Sequence, residues 1–541
     1  MNQMSYSVTA RGAPHPPCAR EGRSNRMTNA ATGQAANPTL ILPPDAPAAV
    51  AAPLPPAATP VQSIKSRALR GSMWTMFAFG AGQLIRFVSS PILAYLLTPE
   101  DFGTIALVSV FVGSLACFAD VGIEQAVIQS KRGDDETFLH TAWTLHVLRG
   151  IVLWLGCCLI AYPVYWLYRD KGNAHYLLAM LPVVGLNPLI AGFNSARIFS
   201  HNRHLQLGRI TLMALGHQLV AVAIQISFAF VWRSPWSIVC GGMAGSCFYC
   251  LASHTLLPGL RDRFRWDASV RHELLHFGKW IMVSTIFTFI ALQIDRPLLG
   301  KMMDEALLGI YMVAMNLVRV PAEVIGRLTS VTLFPALARA AEKHPQEMAR
   351  VFRRARGLIL DVCVALSLGI ILAGPVFVRL FYKQRWHPAA EFTQWSMVGG
   401  WFLLLQLSAD RALLAAGKTR PLAVSNLVCL IVTVIGAFAG HYVDVHHFGG
   451  GITGFILGAA AGRVAGHMMI QFEMSQISLP ILRQDVLYTL LLGAACALAL
   501  LGPRAFPAYH DHQLAYDAVT ALTVCTVACA WATLNVIRGF R

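Results

Sequence analysis

The chain has 541 residues, of which 55% are hydrophobic and 13% charged, and its mean hydropathy is +0.54. Globular domains carry about 25% charged residues, so this chain cannot clothe a water-soluble surface and its natural solvent is lipid. Its net charge of +16 lies mostly in short connections between apolar runs rather than in an aromatic-interleaved surface, which excludes a nucleic-acid partner and fits membrane topology.

Residues 1–62 are rich in Pro and Ala (ILPPDAPAAVAAPLPPAATP) and lack the apolar core and cleavage site of a signal peptide, so they read as a disordered cytoplasmic tail, with Met27 an alternative start. Lys65, Arg67 and Arg70 then lead into the first apolar run, as on a cytoplasmic approach to a membrane. Runs of about 18–25 residues, enough to cross about 30 Å, follow at 72–97, 103–128, 141–168, 175–199, 207–232, 236–257, 278–301, 307–335, 357–380, 392–415, 421–443, 450–472, 486–502 and 513–536. No sustained strand alternation accompanies them, so each run is a helix that satisfies its own backbone in lipid. Most of the 12 cysteines fall inside these runs, and the Cys247-x-x-Cys250 pair has no partner pair, so they read as packing residues rather than as a metal or redox centre.

With the N-terminus inside, the cytoplasmic connections hold sixteen Lys and Arg residues and the outer ones six: Arg169, Lys171, Arg233, Lys383, Arg385 and Arg504. That asymmetry places both termini in the cytoplasm. The longest basic connection, 258–277, reads as an amphipathic linker on the inner leaflet surface.

An internal repeat organises the runs. Adding 206 to Trp74, Pro91, Leu93 and Gly103 lands on Trp280, Pro297, Leu299 and Gly309. Arg149-Gly150 returns as Arg356-Gly357, and Ser195-Ala196-Arg197 as Ser408-Ala409-Asp410-Arg411. Six helices separate the copies, so they keep one orientation and are related by an axis along the membrane normal. The predicted fold is an all-α integral membrane protein of 14 transmembrane helices. A six-helix bundle at 63–257 and another at 278–473 are related by a pseudo-twofold axis, with two extra helices in 474–541.

The first helix ends in PILAYLLTPEDFG and the seventh in DRPLLGKMMDEALLGIY. FADVGIEQAVIQ at 118–129 precedes a third helix marked by Arg-Gly. Over about 64–480 these segments and the 6 + 6 + 2 plan resemble the oligosaccharide (Wzx-type) flippases of the multidrug/oligosaccharidyl-lipid/polysaccharide superfamily, in the branch serving exopolysaccharide and O-antigen export. The resemblance implies a bacterial inner-membrane protein that moves undecaprenyl-pyrophosphate-linked oligosaccharides outward without ATP hydrolysis. It also implies a lateral gap between helices one and eight for the lipid tail.

A charge inside the membrane costs about 2.5–3.5 kcal/mol on insertion scales, so each is a functional candidate. Arg86, Arg296, Arg319, Arg327 and Arg411 are the candidate pyrophosphate ligands, since guanidinium pairs bidentately with phosphate and stays ionised. Asp295, Glu323, Asp361 and Asp410 are candidates for ion coupling or gating by a H⁺ or Na⁺ gradient. Any of these charges could instead pair structurally. Asp120 and Glu124 read as gate or structural residues, and Arg149, Arg197 and Arg356 as cytoplasmic-end residues that snorkel. Pro297 and Pro321 could bend their helices.

No P-loop occurs, and neither a cofactor nor a catalytic centre is expected. Expected partners are membrane lipids, with a polymerase and a chain-length regulator of the same pathway. A cavity complete within one chain makes a monomer sufficient. The alternatives are a cation-coupled multidrug or metabolite antiporter, a membrane polymerase or ligase, and a flippase for the peptidoglycan precursor. Two extra helices and the excess of membrane arginines argue against the antiporter, and short outer loops against the enzyme.

Overall fold

A computed structural model describes residues 64–118, 122–130, 132–172, 174–204, 206–343, 345–447, 450–477, 479, 481–501 and 513–540. The predicted tail at 1–62 and Asp120 lie outside the described residues. Among those described there is no strand. The helices are α1 (Ile64–Leu96), α2 (Pro99–Phe118), α3 (Ile123–Gln129), α4 (Glu136–Leu167), α5 (Ala174–Val184), α6 (Leu186–Gly192), α7 (Arg197–Arg203), α8 (Leu207–Trp232) and α9 (Trp236–Thr255). They continue with α10 (Ala268–Gln293), α11 (Asp295–Met302), α12 (Glu305–Leu328), α13 (Phe334–Lys343), α14 (Pro345–Phe381), α15 (Pro388–Ala415), α16 (Arg420–His447), α17 (Ile452–Gln476), α18 (Leu482–Leu501) and α19 (Gln513–Phe540).

Eleven helices among the described residues are long and apolar enough to cross a membrane. Three further long elements, α10, α15 and α17, stand where the seventh, tenth and twelfth spans are predicted. The packing pairs repeat: α1 with α8 is matched by α10 with α16, α8 with α9 by α16 with α17, and α4 with α5 and α6 by α14 with α15. Close helix crossings rest on small residues. A Cβ on Gly436, Gly440, Gly454 or Gly458 would sit within 2.2 Å of a backbone carbonyl oxygen of the facing helix.

Several predicted spans are interrupted. The second ends at Phe118, and Gly122 at φ 56° turns the chain into the separate α3. The fourth is divided among α5, α6 and α7. The seventh begins ten residues early and breaks at Ile294. Pro297 follows that break, where its ring excludes the carbonyl of residue 293 from a regular turn. By contrast, α12 runs through Pro321 and then loosens into a π-turn at Thr329–Leu333.

The linker also differs from expectation. Residues 260–267 adopt no helix, and α10 starts at 268 because Asp267 caps it, accepting from the amides of Ser269 and Val270 at 2.9 and 3.0 Å. Asp262 accepts from the amide of Ala196 at 3.0 Å, and the Arg265 amide donates to Thr144 Oγ1 at 3.1 Å, so this stretch is pinned beneath the first half of the chain. Arg197 does not snorkel but donates to the carbonyls of His254, Leu257 and Leu260 at the end of α9.

Arg356 is likewise a correction. It is fully buried and donates to Ser408 Oγ, the Leu405 carbonyl and Asp485, whose other oxygen accepts from His467 and Gln471. This network fastens α18 to the second half of the chain. Removing one partner of a buried pair strands the other charge, at about 3–5 kcal/mol. Asp485→Asn is therefore expected to lower the unfolding midpoint in detergent, and the apolar double replacement R356M/D485L to recover most of the loss. A full-strength D485N protein would show the network to be dispensable.

Candidate substrate cavity

The turn that opens the second predicted span is built by its own residues. Thr98 Oγ1 accepts from the Asp101 amide, while Asp101 Oδ2 accepts from the Thr98 amide and hydroxyl at 2.8 and 3.0 Å, a reciprocal cap with Pro99 in the first turn. This cap starts α2 where it meets α12. The two repeat-related glycines touch there. A Cβ on Gly103 would lie 2.1 Å from the Glu305 carbonyl oxygen, and one on Gly309 would lie 1.8 Å from that of Pro99.

Around this crossing, the face that the sequence predicts to be the outer one is closed by contacts between the two halves of the chain. Trp386 Nε1 donates to the Ala94 carbonyl at 2.9 Å, Arg385 to Leu97 at 2.6 Å and Lys383 to Tyr95 at 3.1 Å, all at the C-terminal end of α1. Cations are favoured at that end by the helix dipole. On the other side, Lys171 donates to the Met303 carbonyl at 2.8 Å and Tyr168 to that of Pro297 at 3.0 Å. Lys301 bonds both Asp170 carboxylate oxygens at 3.0 and 3.1 Å, and this hydrogen bond holds the Asp170 carboxyl below the usual range. Lys171, Lys301, Lys383 and Arg385 thus serve the seal.

Beneath the seal lies a cavity of about 380 Å³ between α1 and α2 on one side and α11, α12 and the end of α14 on the other. Arg86, Arg296, Arg319 and Glu323 line it, as do Ser90, Asn316 and Tyr382. A second cavity of about 360 Å³ lies among α11, α12, α15, α16 and α17, and holds Gln293, Asp295 and Arg463. Arg319 and Glu323 border both, so α12 is the wall between them.

The pairing of these groups is uneven. Glu323 Oε2 accepts from Gln83 Nε2 at 2.6 Å and stands 3.6 Å from an Arg86 nitrogen. Arg319 donates to Gln293 Oε1 at 3.0 Å, and Arg463 to the Ala291 carbonyl at 3.2 Å. Asp295 accepts from the Tyr311 hydroxyl at 2.6 Å while its other oxygen finds no hydrogen-bond partner among the described residues. The break before α11 carries Arg296 to the cavity wall, where it is only 5% exposed and, among the described residues, finds no hydrogen-bond partner for its buried Nε.

The remaining predicted residues lie elsewhere. Arg327 stacks on the Phe79 ring at 5.0 Å. Asp361 accepts from Tyr488 at 2.7 Å and so ties α14 to α18. Asp410 and Arg411 border neither cavity, and each has a buried side-chain atom without a partner. Glu124 accepts from Asn202 at 2.6 Å, and Arg149 donates to the Ala116 carbonyl at 3.1 Å. Sequence reasoning missed Gln83, Asn316 and Tyr382, because neutral polar residues in a membrane helix stand out far less than charges do.

Paired helix sets thus surround a charged cavity that is closed at the end where α2 crosses α12. A solved structure titled "Lipid II flippase MurJ, inward closed conformation" superposes with TM-score 0.66 at 9% identity over 86% of this chain and 100% of that one. An inward-facing MATE-family multidrug resistance transporter of the MOP superfamily superposes with TM-score 0.59 at 14% identity, over 73% and 94%. The family profile of polysaccharide biosynthesis proteins matches residues 92–391, and the chain belongs to that family. It is 21% identical over 345 residues to the lipopolysaccharide biosynthesis protein WzxC of Escherichia coli, covering 62% of this chain and 68% of that one. With the succinoglycan biosynthesis transport protein ExoT of Rhizobium meliloti it shares 24% over 333 residues, 60% of this chain and 65% of that one. The matches thus span about two thirds of these relatives' lengths.

Proposed function

We propose that the chain flips undecaprenyl-pyrophosphate-linked oligosaccharide repeat units across the bacterial inner membrane by alternating access, for exopolysaccharide, capsule or O-antigen synthesis. The observation that carries this reading is Arg296, a buried guanidinium whose Nε finds no hydrogen-bond partner among the described residues, at the wall of a cavity that Arg86 and Arg319 also line. A group this costly to bury is explained by an anion that arrives during the cycle. Serine, asparagine and tyrosine groups on the same walls suit the hydroxyls of a sugar. The names of the relatives, which concern polysaccharide synthesis and transport, support the same class.

In this reading fourteen helices span the membrane as two related six-helix bundles plus α18 and α19, with both termini cytoplasmic and one chain sufficient. The bundles rock about the outer seal, and the polyprenyl tail stays in lipid. Asp295 and Glu323 are the carboxylates at the cavities through which a H⁺ or Na⁺ gradient would act. A polymerase and a chain-length regulator would take up the product outside.

Deleting the gene is expected to leave lipid-linked repeat units in the inner leaflet and to abolish surface polysaccharide, read by extracting the lipid-linked pool and probing its sidedness. Loss of drug tolerance with normal polymer would move the reading to an antiporter.

A further inference from the structure

Glu323 needs its own explanation. It shares the cavity wall with Arg86, Arg296 and Arg319, yet it weakens the very field that would draw an anion inward. Its contacts cross the molecule. Gln83 and Arg86 belong to α1, in the first half of the chain, and Glu323 to α12, in the second. The backbone of α1 packs along α8. Its polar ties to the second half are made by side chains: Glu323 near the middle of the cavity, Tyr382 to Ser90 at 2.8 Å further out, and then the outer seal.

We infer that Glu323 is a built-in stand-in for the substrate's phosphate, latching α1 to α12 in the empty cavity until a pyrophosphate displaces it. The inference rests on the pyrophosphate reading above and concerns the regulation of the same site. A carboxylate and a phosphate present the same acceptor oxygens to the same donors. One carboxylate holds Gln83 tightly and Arg86 loosely, at 2.6 against 3.6 Å. A pyrophosphate brings more charge and more oxygens, and engages a guanidinium bidentately, so it wins Arg86. The direct tie between the halves is broken while cargo is bound, which frees α1 and α12 to part, and it re-forms once the cargo leaves. An empty carrier would stay latched, which suppresses futile opening.

Binding of farnesyl pyrophosphate, a short isoprenoid with the same headgroup, to the full chain in zwitterionic nanodiscs tests this. Glu323→Gln keeps the size and an acceptor for Gln83 but removes the competing charge. It is expected to bind the probe about tenfold more tightly, while polysaccharide export falls because release slows. Glu323→Asp keeps the charge but shortens the reach to Gln83, so its affinity should fall between wild type and Glu323→Gln. A merely structural glutamate would weaken binding in both variants. If wild type binds the probe, Arg296→Gln abolishes binding and Glu323→Gln leaves it unchanged or weaker, the latch is overturned and the pyrophosphate reading stands. If wild type ignores the probe, both fall.

Discussion

Gly309→Ala is expected to stop polysaccharide export and to leave the outer face unable to close. The added methyl would sit 1.8 Å from the Pro99 carbonyl oxygen, 2.8 Å from its carbon and 3.0 Å from the Gly103 nitrogen. All three are backbone atoms, so no side chain can swing away and α2 must part from α12. Overpacking of this kind costs about 1–3 kcal/mol, but the larger effect is geometric. The seal depends on contacts of 2.6–3.1 Å from Arg385, Trp386, Lys383, Lys171 and Tyr168 across the same interface, and a shift of an ångström breaks hydrogen bonds of that length. A cysteine at Ser90, inside the cavity, should become reactive to a membrane-impermeant reagent added outside, whereas it stays protected in the parent protein. Gly326→Ala is the control: nothing lies within 4 Å of its added methyl, and alanine is the better helix former, by up to about 1 kcal/mol. Normal export and a protected Ser90 position in Gly309→Ala would show that the crossing is not the closing surface.

The glycine pair also marks what was legible in the sequence. TPEDFG announced a capped turn, and its echo 206 residues on exposed two related halves, because capping and close approach are local demands that restrict residue type at fixed positions. Helix positions were legible for the same reason, since thickness and hydropathy act on contiguous residues. The breaks were not. The breaks at Gly122 and at Ile294 leave hydropathy almost unchanged, and only Gly122 and Pro297 hinted at them. Pairing was illegible too. Arg356 and Asp485 stand far apart in sequence, and an arginine at a helix end looks like a snorkelling residue until a distant helix supplies its carboxylate. Likewise, Lys171, Lys383 and Arg385 entered the sequence reading only as a count of charges, and only the structure shows them bonded across the two halves. Of the nine charged candidates, Arg86, Asp295, Arg296, Arg319 and Glu323 meet at the two cavities, all from α1, α11 and α12. The four others are Arg327 and Asp361, each tied to a neighbouring helix, and Asp410 and Arg411, which border neither cavity.

Arg296→Met is expected to abolish export while leaving the protein as stable as its parent or more so. Most losses of function through a buried residue come with a loss of fold, and this one separates the two because of what Arg296 lacks. Arg296 is only 5% exposed, and among the described residues its Nε finds no hydrogen-bond partner. The neighbouring Asp295 already accepts from Tyr311. A buried guanidinium with no hydrogen bond recorded among the described residues costs folding energy, and an apolar group of similar volume relieves it. The anion it awaits loses two charge-assisted hydrogen bonds of about 1.5–3 kcal/mol each, enough to lower transport by a factor of about 10² or more. Arg296→Lys keeps the charge without the fork and should fall between. Arg86→Ala should be milder, because Arg86 is more than half exposed and already shares Glu323. The measurements are surface polymer yield and the unfolding midpoint of purified protein. Normal polymer in both Arg296→Met and Arg86→Ala would overturn the anion-binding cavity. A sharply lowered midpoint in Arg296→Met would instead assign Arg296 to the fold, placing it with Arg356, whose bonds to Ser408, Leu405 and Asp485 make that opposite outcome the expected one there.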